Sequence, residues 1–331
     1  MTRRVHNYIR NLTKGDFIMF RFLLFLITII MSATVANAQS NYKHFGSRPL
    51  LFLVPSTPGG FSDAVARIVA DGISSHLGQP VRVENRPGGY VTVAAQYMLE
   101  QPPDGHTFMV SANAITATRR FNPEMAIRPL EQLSVASMTV RSPMVMVIPN
   151  TIQVQDARHL ISLIRLSPDR FTYASVGGGG VATMSAETLS RALNIQMVNV
   201  AYRGMSMAQP DLQAGRISSM FVEVPHALQL VQAGNRAILI GSDIRDSKLP
   251  NTETWREAGI NSTFYSWQSI WVSASTPREI RIELNAIIAA SLRAGSAREK
   301  LLALGIPPHD IYDTTLETHE NTIREEASRW N

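Results

Sequence analysis

Two glycine clusters carry the clearest chemical potential in this chain. The first, Pro55-Ser56-Thr57-Pro58-Gly59-Gly60-Phe61-Ser62-Asp63, follows the aliphatic run Leu50–Val54 and opens an apolar pattern at Val65, Ile68, Val69, Ile73 and Leu77. That spacing is helical. The first amides of a helix have no partner inside it, and the helix dipole favours negative charge there. Glycines let a ligand reach N–H groups that a Cβ would shield. The second cluster, Ser175-Val176-Gly177-Gly178-Gly179-Gly180, stands between the run Phe171–Ala174 and the amphipathic stretch Ala182–Leu193, and repeats the arrangement. An ordinary strand-to-helix turn uses the same residues. Two such turns nevertheless suit one anion gripped from both sides.

Other chemistries fit less well. Gly177, Gly179 and Ala182 satisfy G-x-G-x-x-A, but no acidic residue lies between Glu187 and Asp211 to hold a ribose. No Lys-Ser/Thr follows the glycines, so a P-loop is excluded. Gly204-Met205-Ser206-Met207-Ala208 resembles a nucleophile elbow with alanine in place of the last glycine, and Asp211, Asp243, Asp246, His226, His309 and His319 follow it. That keeps a secreted serine hydrolase using Ser206 as an alternative. The histidines beyond His6 are dispersed, with none at metal-ligand spacing, and cysteine is absent. No catalytic residue, metal or cofactor is expected.

The elements that must position these clusters read as alternating strands and helices. Strand runs are Leu50–Val54, Val81–Val83, Thr107–Val110, Met144–Ile148, Phe171–Ala174, Met197–Val200, Ser219–Val222, Ala237–Ile240 and Ser269–Ser273. Helical patterns include Ala157–Leu166 and a segment at Thr276-Pro277-Arg278-Glu279, where Thr276 is the expected N-cap of a capping box. The rhythm predicts an α/β fold with mainly parallel sheets flanked by helices. Nine strands in 331 residues suit two lobes better than one small sheet.

The chain's start predicts export. Arg21 precedes the apolar run Phe22–Met31, which is about half of the roughly twenty residues a membrane span needs. Ala36-Asn37-Ala38 then fits a cleavage site before Gln39, so residues 1–38 read as a signal peptide, with Met19 an alternative start. The net charge of +5 resides mostly in this leader; beyond residue 38 stand 26 basic and 25 acidic residues. No basic face is left for nucleic acid.

From Arg48 onward the chain resembles Bug-type periplasmic solute receptors, the extracytoplasmic subunits of tripartite tricarboxylate transporters. The resemblance rests on Arg48-Pro49-Leu50, Val54-Pro55, Pro58 to Asp63, Leu77-Gly78-Gln79-Pro80, Val83-Glu84-Asn85-Arg86-Pro87-Gly88, Pro103-Asp104-Gly105, Tyr173-Ala174-Ser175 with its glycines, Tyr202-Arg203-Gly204, Met220-Phe221, Glu257-Ala258-Gly259 and Thr276-Pro277. It implies a two-lobed Venus flytrap, with lobe 1 at 42–141 and 264–331 and lobe 2 at 142–263. It also implies a monomer that holds a small organic acid between the lobes and presents it to membrane subunits. A ligand sensor for a membrane kinase is the alternative within that frame.

The ligand contacts expected on this basis are Thr57, Gly59, Gly60, Phe61, Ser62, Asp63, Ser111, Asn113, Ser175, Gly177, Gly178 and Gly179. Asp63 also suits a helix-dipole partner, and that role is favoured. Ser111 and Asn113 end a strand, where open α/β sheets bind ligands. Arg119-Arg120 reads as a solvated pair, and Trp267 and Trp271 as packing anchors. The chain departs from the family at Gly180 and Thr183, where a hydroxyl residue and a histidine are usual. It departs again at Tyr90-Val91 (usually Gly-Gly) and at Val222-Glu223 (usually Asp-Asn).

Overall fold

The computed structural model describes residues 42–46, 48–176 and 180–330. The expected leader and its cleavage site lie outside the described residues, as do Gly177, Gly178 and Gly179. The chain divides into a unit ending at Gly46 and one running from Ser47 to Asn331, and the second carries the fold.

Its elements begin with β1 (Leu50–Val54), α1 (Phe61–Leu77), β2 (Val81–Asn85), α2 (Thr92–Leu99) and β3 (Thr107–Ala112). Short helical turns occupy Asn113 to Phe121. Then come β4 (Leu133–Ile148), α3 (Ala157–Leu166), β5 (Thr172–Val176), α4 (Val181–Leu193), β6 (Val198–Tyr202), α5 (Met205–Gln213), β7 (Ser219–Glu223) and α6 (Val224–Gln232). The chain closes with β8 (Arg236–Ile240), β9 (Glu253–Thr254), β10 (Tyr265–Ser273), α7 (Arg278–Arg293), α8 (Gly295–Leu304) and α9 (Leu316–Ser328).

Local chemistry sets the boundaries. Gly78 ends α1 in the left-handed conformation at φ 67°, its N–H bonded to Ser74 O. Asp156 caps α3 by accepting the His159 amide at 2.7 Å. The expected capping box before α7 does not form. Pro277, with ψ 144°, takes the cap position without a side-chain bond, and the Thr276 amide turns back to Ser273 O.

The strands pair in the order β2-β1-β3-β10-β4-β7-β5-β6, with β8 on β4 and β9 on β8. The sheet is mixed: the expected parallel pairings are present, and antiparallel ones join them. β1 runs parallel to β2 and β3, and β5 to β6 and β7. β4 and β10 are antiparallel to every strand they pair with: β10 opposes β3 and β4, and β4 also opposes β7 and β8. These two strands return the chain between the parallel groups, so they cannot belong to a right-handed βαβ series.

β4 is the long element, sixteen residues where the apolar pattern marks only its last five. Its first part interleaves Ser134, Ser137, Thr139 and Ser142, which hide it from a hydrophobicity reading. Three of these are buried and satisfied locally: Thr139 Oγ1 donates to Gln268 O at 3.0 Å, and Ser137 Oγ to Met138 O at 2.9 Å. Leu133–Pro143 pairs with β10, and Met144–Val147 pairs with β7. At the change of partner three backbone segments lock together. The Met144 amide donates to Phe264 O (3.0 Å), the Gly241 amide to Met144 O (2.8 Å) and the Phe264 amide to Gly241 O (2.7 Å). A Cβ at Gly241 would sit 2.6 Å from Phe264 O, so only glycine fits this crossing.

Separate cores flank the sheet. One gathers Leu53, Met109, Ile115, Trp267 and Trp271 from the β1 side. Another gathers Val145, Val147, Met220, Val222 and Leu230 from the β7 side. Trp267 and Trp271 are thus packing anchors, at 3% and 1% exposure.

Candidate functional site

Register shows where the strand ends meet. Along β4, Ala112 of β3 lies level with Val140 through Gln268, and β3 runs toward Pro143. From the other side, β7 pairs Met220 with Val147 and Glu223 with Met144, so it also runs toward the crossing. The carboxyl ends of β1 and β3 therefore face those of β5 and β7 across Pro143–Met144. Each glycine loop leaves one of these ends.

In the first loop, Gly60 is the N-cap of α1, extended at φ −81° and ψ 171°, with no side-chain cap. The Ala64 amide is the first to find its helical partner, Gly60 O at 3.0 Å. The amides of Phe61, Ser62 and Asp63 therefore stand ahead of the helical ladder. Thr57, Gly59 and Gly60 are exposed, while Phe61 and Ser62 are half-buried.

Asp63 organises this loop from inside. It accepts the Gly59 amide (3.0 Å), Arg67 Nε (3.1 Å) and Asn85 Nδ2 (2.9 Å), and Asn85 also donates to Ser56 O. Burial pushes its carboxyl up, but the bonds from Arg67, Gly59 and Asn85 outweigh that and hold it below the ordinary aspartate range. Gly59 can donate in this way because it sits at φ +88°, where other residues are strained. The favoured helix-terminus role of Asp63 agrees with this network, which occupies both carboxylate oxygens.

The start of α4 resembles that of α1. Gly180 caps α4 at φ −76° and ψ 175°, again with no side-chain cap, and Met184 N–H reaches Gly180 O at 3.1 Å. The amides of Val181, Ala182 and Thr183 precede the ladder. Ser175 is fully buried, and its Oγ donates to Asn199 Oδ1 on β6 at 2.6 Å.

Between the loops lies a polar group that sequence reasoning only half located. Asn113 is 1% exposed; its Nδ2 donates to Tyr265 O at 3.1 Å, and its Oδ1 has no hydrogen-bond partner. Ser111 is buried beside it, with its carbonyl accepting from Ser269 Oγ at 3.1 Å. Across β4, Glu223 Oε1 accepts from Ser266 Oγ at 3.0 Å, and burial raises its carboxyl above the ordinary glutamate range. Glu223 was visible in the sequence only as a departure from the family pattern. Tyr90 is another such departure, a tyrosine at φ 66° whose ring packs against two cores.

Other expected candidates are occupied elsewhere. Arg120 reaches Glu187 of α4 at 3.1 Å, so the arginine pair is not simply solvated. Ser206 is exposed on α5, but its nominal partners do not converge on it. Asp211 takes the Tyr202 hydroxyl (2.6 Å) and Arg216 Nε (2.8 Å), while His226 faces Gln209 at 2.7 Å. His319 is buried between Met138 N–H and Thr314 Oγ1.

Residues 65–331 match the family model described as TctC, the tripartite tricarboxylate transporter family receptor. The chain belongs to this family. It is 31% identical over 307 residues to the UPF0065 protein of the tcbD-tcbE intergenic region of Pseudomonas sp. strain P51, covering 92% of this chain and 90% of that one. Among solved structures it is similar to MatC from Rhodopseudomonas palustris with bound malate (27% identity, TM-score 0.76, 86% of this chain and 98% of that one). It is equally similar to an R. palustris protein solved with adipate (27% identity, TM-score 0.78, 86% and 96%). The fold is thus that of the periplasmic binding proteins, and membership places the chain among solute-binding receptors rather than enzymes. Among the described residues, no helix is long and apolar enough to cross a membrane.

Proposed function

We propose that the protein is exported, loses its leader after Ala38, and captures a small organic carboxylate between two lobes for the membrane subunits of a tripartite tricarboxylate transporter. The observation that carries this reading is the pair of matching helix starts, capped by Gly60 and Gly180, on strand ends that face each other. The lobes would be 42–141 with 264–331, and 142–263. Support for those limits comes from the partner change of β4 at Pro143–Met144, two residues on, and from Phe264, which bonds Met144 and Gly241 at the second limit. The bound malate and adipate of the two similar structures support an acid as ligand.

The amides of Phe61, Ser62, Val181 and Ala182 then grip the carboxylate, helped by the loop glycines Gly59, Gly60, Gly177, Gly178 and Gly179. Each charge-assisted bond contributes roughly 1.5–3 kcal/mol, so a few from each loop can reach micromolar affinity, about 8 kcal/mol, after ordering costs. Titration calorimetry of the mature protein against C3–C6 mono- and dicarboxylates, malate and adipate included, tests this. One-to-one micromolar binding of at least one acid is expected. Absence of saturable heat across the panel would overturn it, as would covalent labelling by a serine-directed probe that disappears in Ser206→Ala.

A further inference from the structure

The geometry points to a ligand that carries an ammonium group beside its carboxylate, with Glu223 and Asn113 Oδ1 as its acceptors. This deepens the proposed function and rests on that reading of the cleft.

The argument starts from position. In the sheet order β1-β3-β10-β4-β7-β5, the two glycine loops follow β1 and β5, and the strands between them place Asn113 after β3 and Glu223 at the end of β7. Adjacent residues of β10 hold both side chains: Tyr265 O takes Asn113 Nδ2, and Ser266 Oγ donates to Glu223. Standard bond lengths then keep the two acceptors within about 13 Å of each other, a separation one small molecule can span. They therefore lie between the anion-receptive helix starts rather than in some other part of the fold.

Their bonding state gives the chemistry. The Tyr265 carbonyl can only accept, so it fixes the Asn113 amide with its nitrogen toward Tyr265 and leaves the oxygen for another donor. That oxygen is buried and unpartnered, which is costly unless something donates to it. Glu223 keeps partial exposure at the end of β7, and burial raises its carboxyl. Among the described residues no lysine, arginine or histidine pairs with it within 4.0 Å; its own backbone amide and the Ser266 hydroxyl at 3.0 Å are the donors it has. A buried acid without a cation is a site for one. The free amides of the two helix starts, with acceptors between them, complement a zwitterion, an amino acid or another amino carboxylate, better than a plain diacid. A plain diacid would set a second carboxylate against Glu223.

Matched pairs test the assignment: succinate with aspartate, glutarate with glutamate, and 4-methylpentanoate with leucine, titrated calorimetrically into wild type and Glu223→Gln. In at least one pair the amino member should bind wild type at least tenfold tighter than its deaminated partner. In Glu223→Gln that preference should vanish while the melting temperature stays within a few degrees of wild type. If the deaminated member binds as well or better, the ammonium assignment is wrong and the carboxylate receptor stands. If Glu223→Gln weakens both members equally, Glu223 is a structural residue and the assignment is equally wrong. If no member of any pair binds while malate or adipate does, the ligand has no ammonium group. If none of these acids binds, the assignment falls together with the proposed function.

Discussion

Asp63 and Tyr90 show how single residues shape the candidate site through their own partners and backbone. Asp63 ties Gly59, Arg67 and Asn85 together, so the first loop arrives already folded for an anion. Removing the carboxylate takes away the shared charged acceptor of the Gly59 amide, Arg67 and Asn85. Asp63→Ala should therefore destabilise the protein by roughly 2–3 kcal/mol, seen as a lower denaturant midpoint, and weaken carboxylate binding through a looser loop. Asp63→Asn should recover part of both. Tyr90 combines a left-handed backbone, which costs an L-residue about 1–2 kcal/mol, with a ring packed against two cores. Tyr90→Gly relieves the strain but loses the ring, which by itself is worth roughly 3–5 kcal/mol. A net loss of about 2 kcal/mol is expected in chemical denaturation; a stabilised variant would mean that the ring contributes little.

Among elements, α9 offers a pH signature. His319 on this helix is buried against β4, where Nδ1 accepts the Met138 amide and the other nitrogen meets Thr314. Burial lowers its pKa from 6.5 to about 4. Between those values the unfolded chain takes up a proton that the folded one refuses. Stability from this group is thus complete above pH 6.5 and is lost as pH falls toward 4, by roughly 3 kcal/mol. The denaturation midpoint should drop over that range, and His319→Gln should flatten the drop. The short turn after β3 meets α4 through Arg120 and Glu187, both partly exposed. Such a pair is worth under about 1 kcal/mol, so Arg119→Ala with Arg120→Ala should change ligand affinity less than tenfold. A larger loss would make the arginines ligand contacts.

The same elements explain what could be read from the sequence. β1 and α3 match the apolar runs Leu50–Val54 and Ala157–Leu166 because each buries one continuous apolar pattern. β4 and β10 were half seen because their crossing segments carry serines, threonine and glutamine that the sheet itself satisfies. The glycine loops stood out by composition and by position. Glu223 did not, because an acid at a strand end looks like a solvated residue until Ser266 on another strand is known to face it. Asn113 was read from its place at a strand end, but its open oxygen depends on a carbonyl 152 positions away.

For the whole molecule, the crossing at Met144, Gly241 and Phe264 joins two sets of strands whose carboxyl ends face one another. The resemblance marks Tyr90, Thr183 and Glu223 as departures, while the glycine-capped helix starts remain. The account therefore stands or falls on backbone amides. Gly60→Val is the cleanest probe: φ is −81°, and an added Cβ meets nothing nearer than Thr57 O at 4.0 Å, so the fold should survive. Calorimetry with an acid that binds wild type at micromolar affinity should show Gly60→Val losing at least a hundredfold, with an unchanged melting temperature. Wild-type affinity in a correctly folded Gly60→Val protein would contradict the backbone grip.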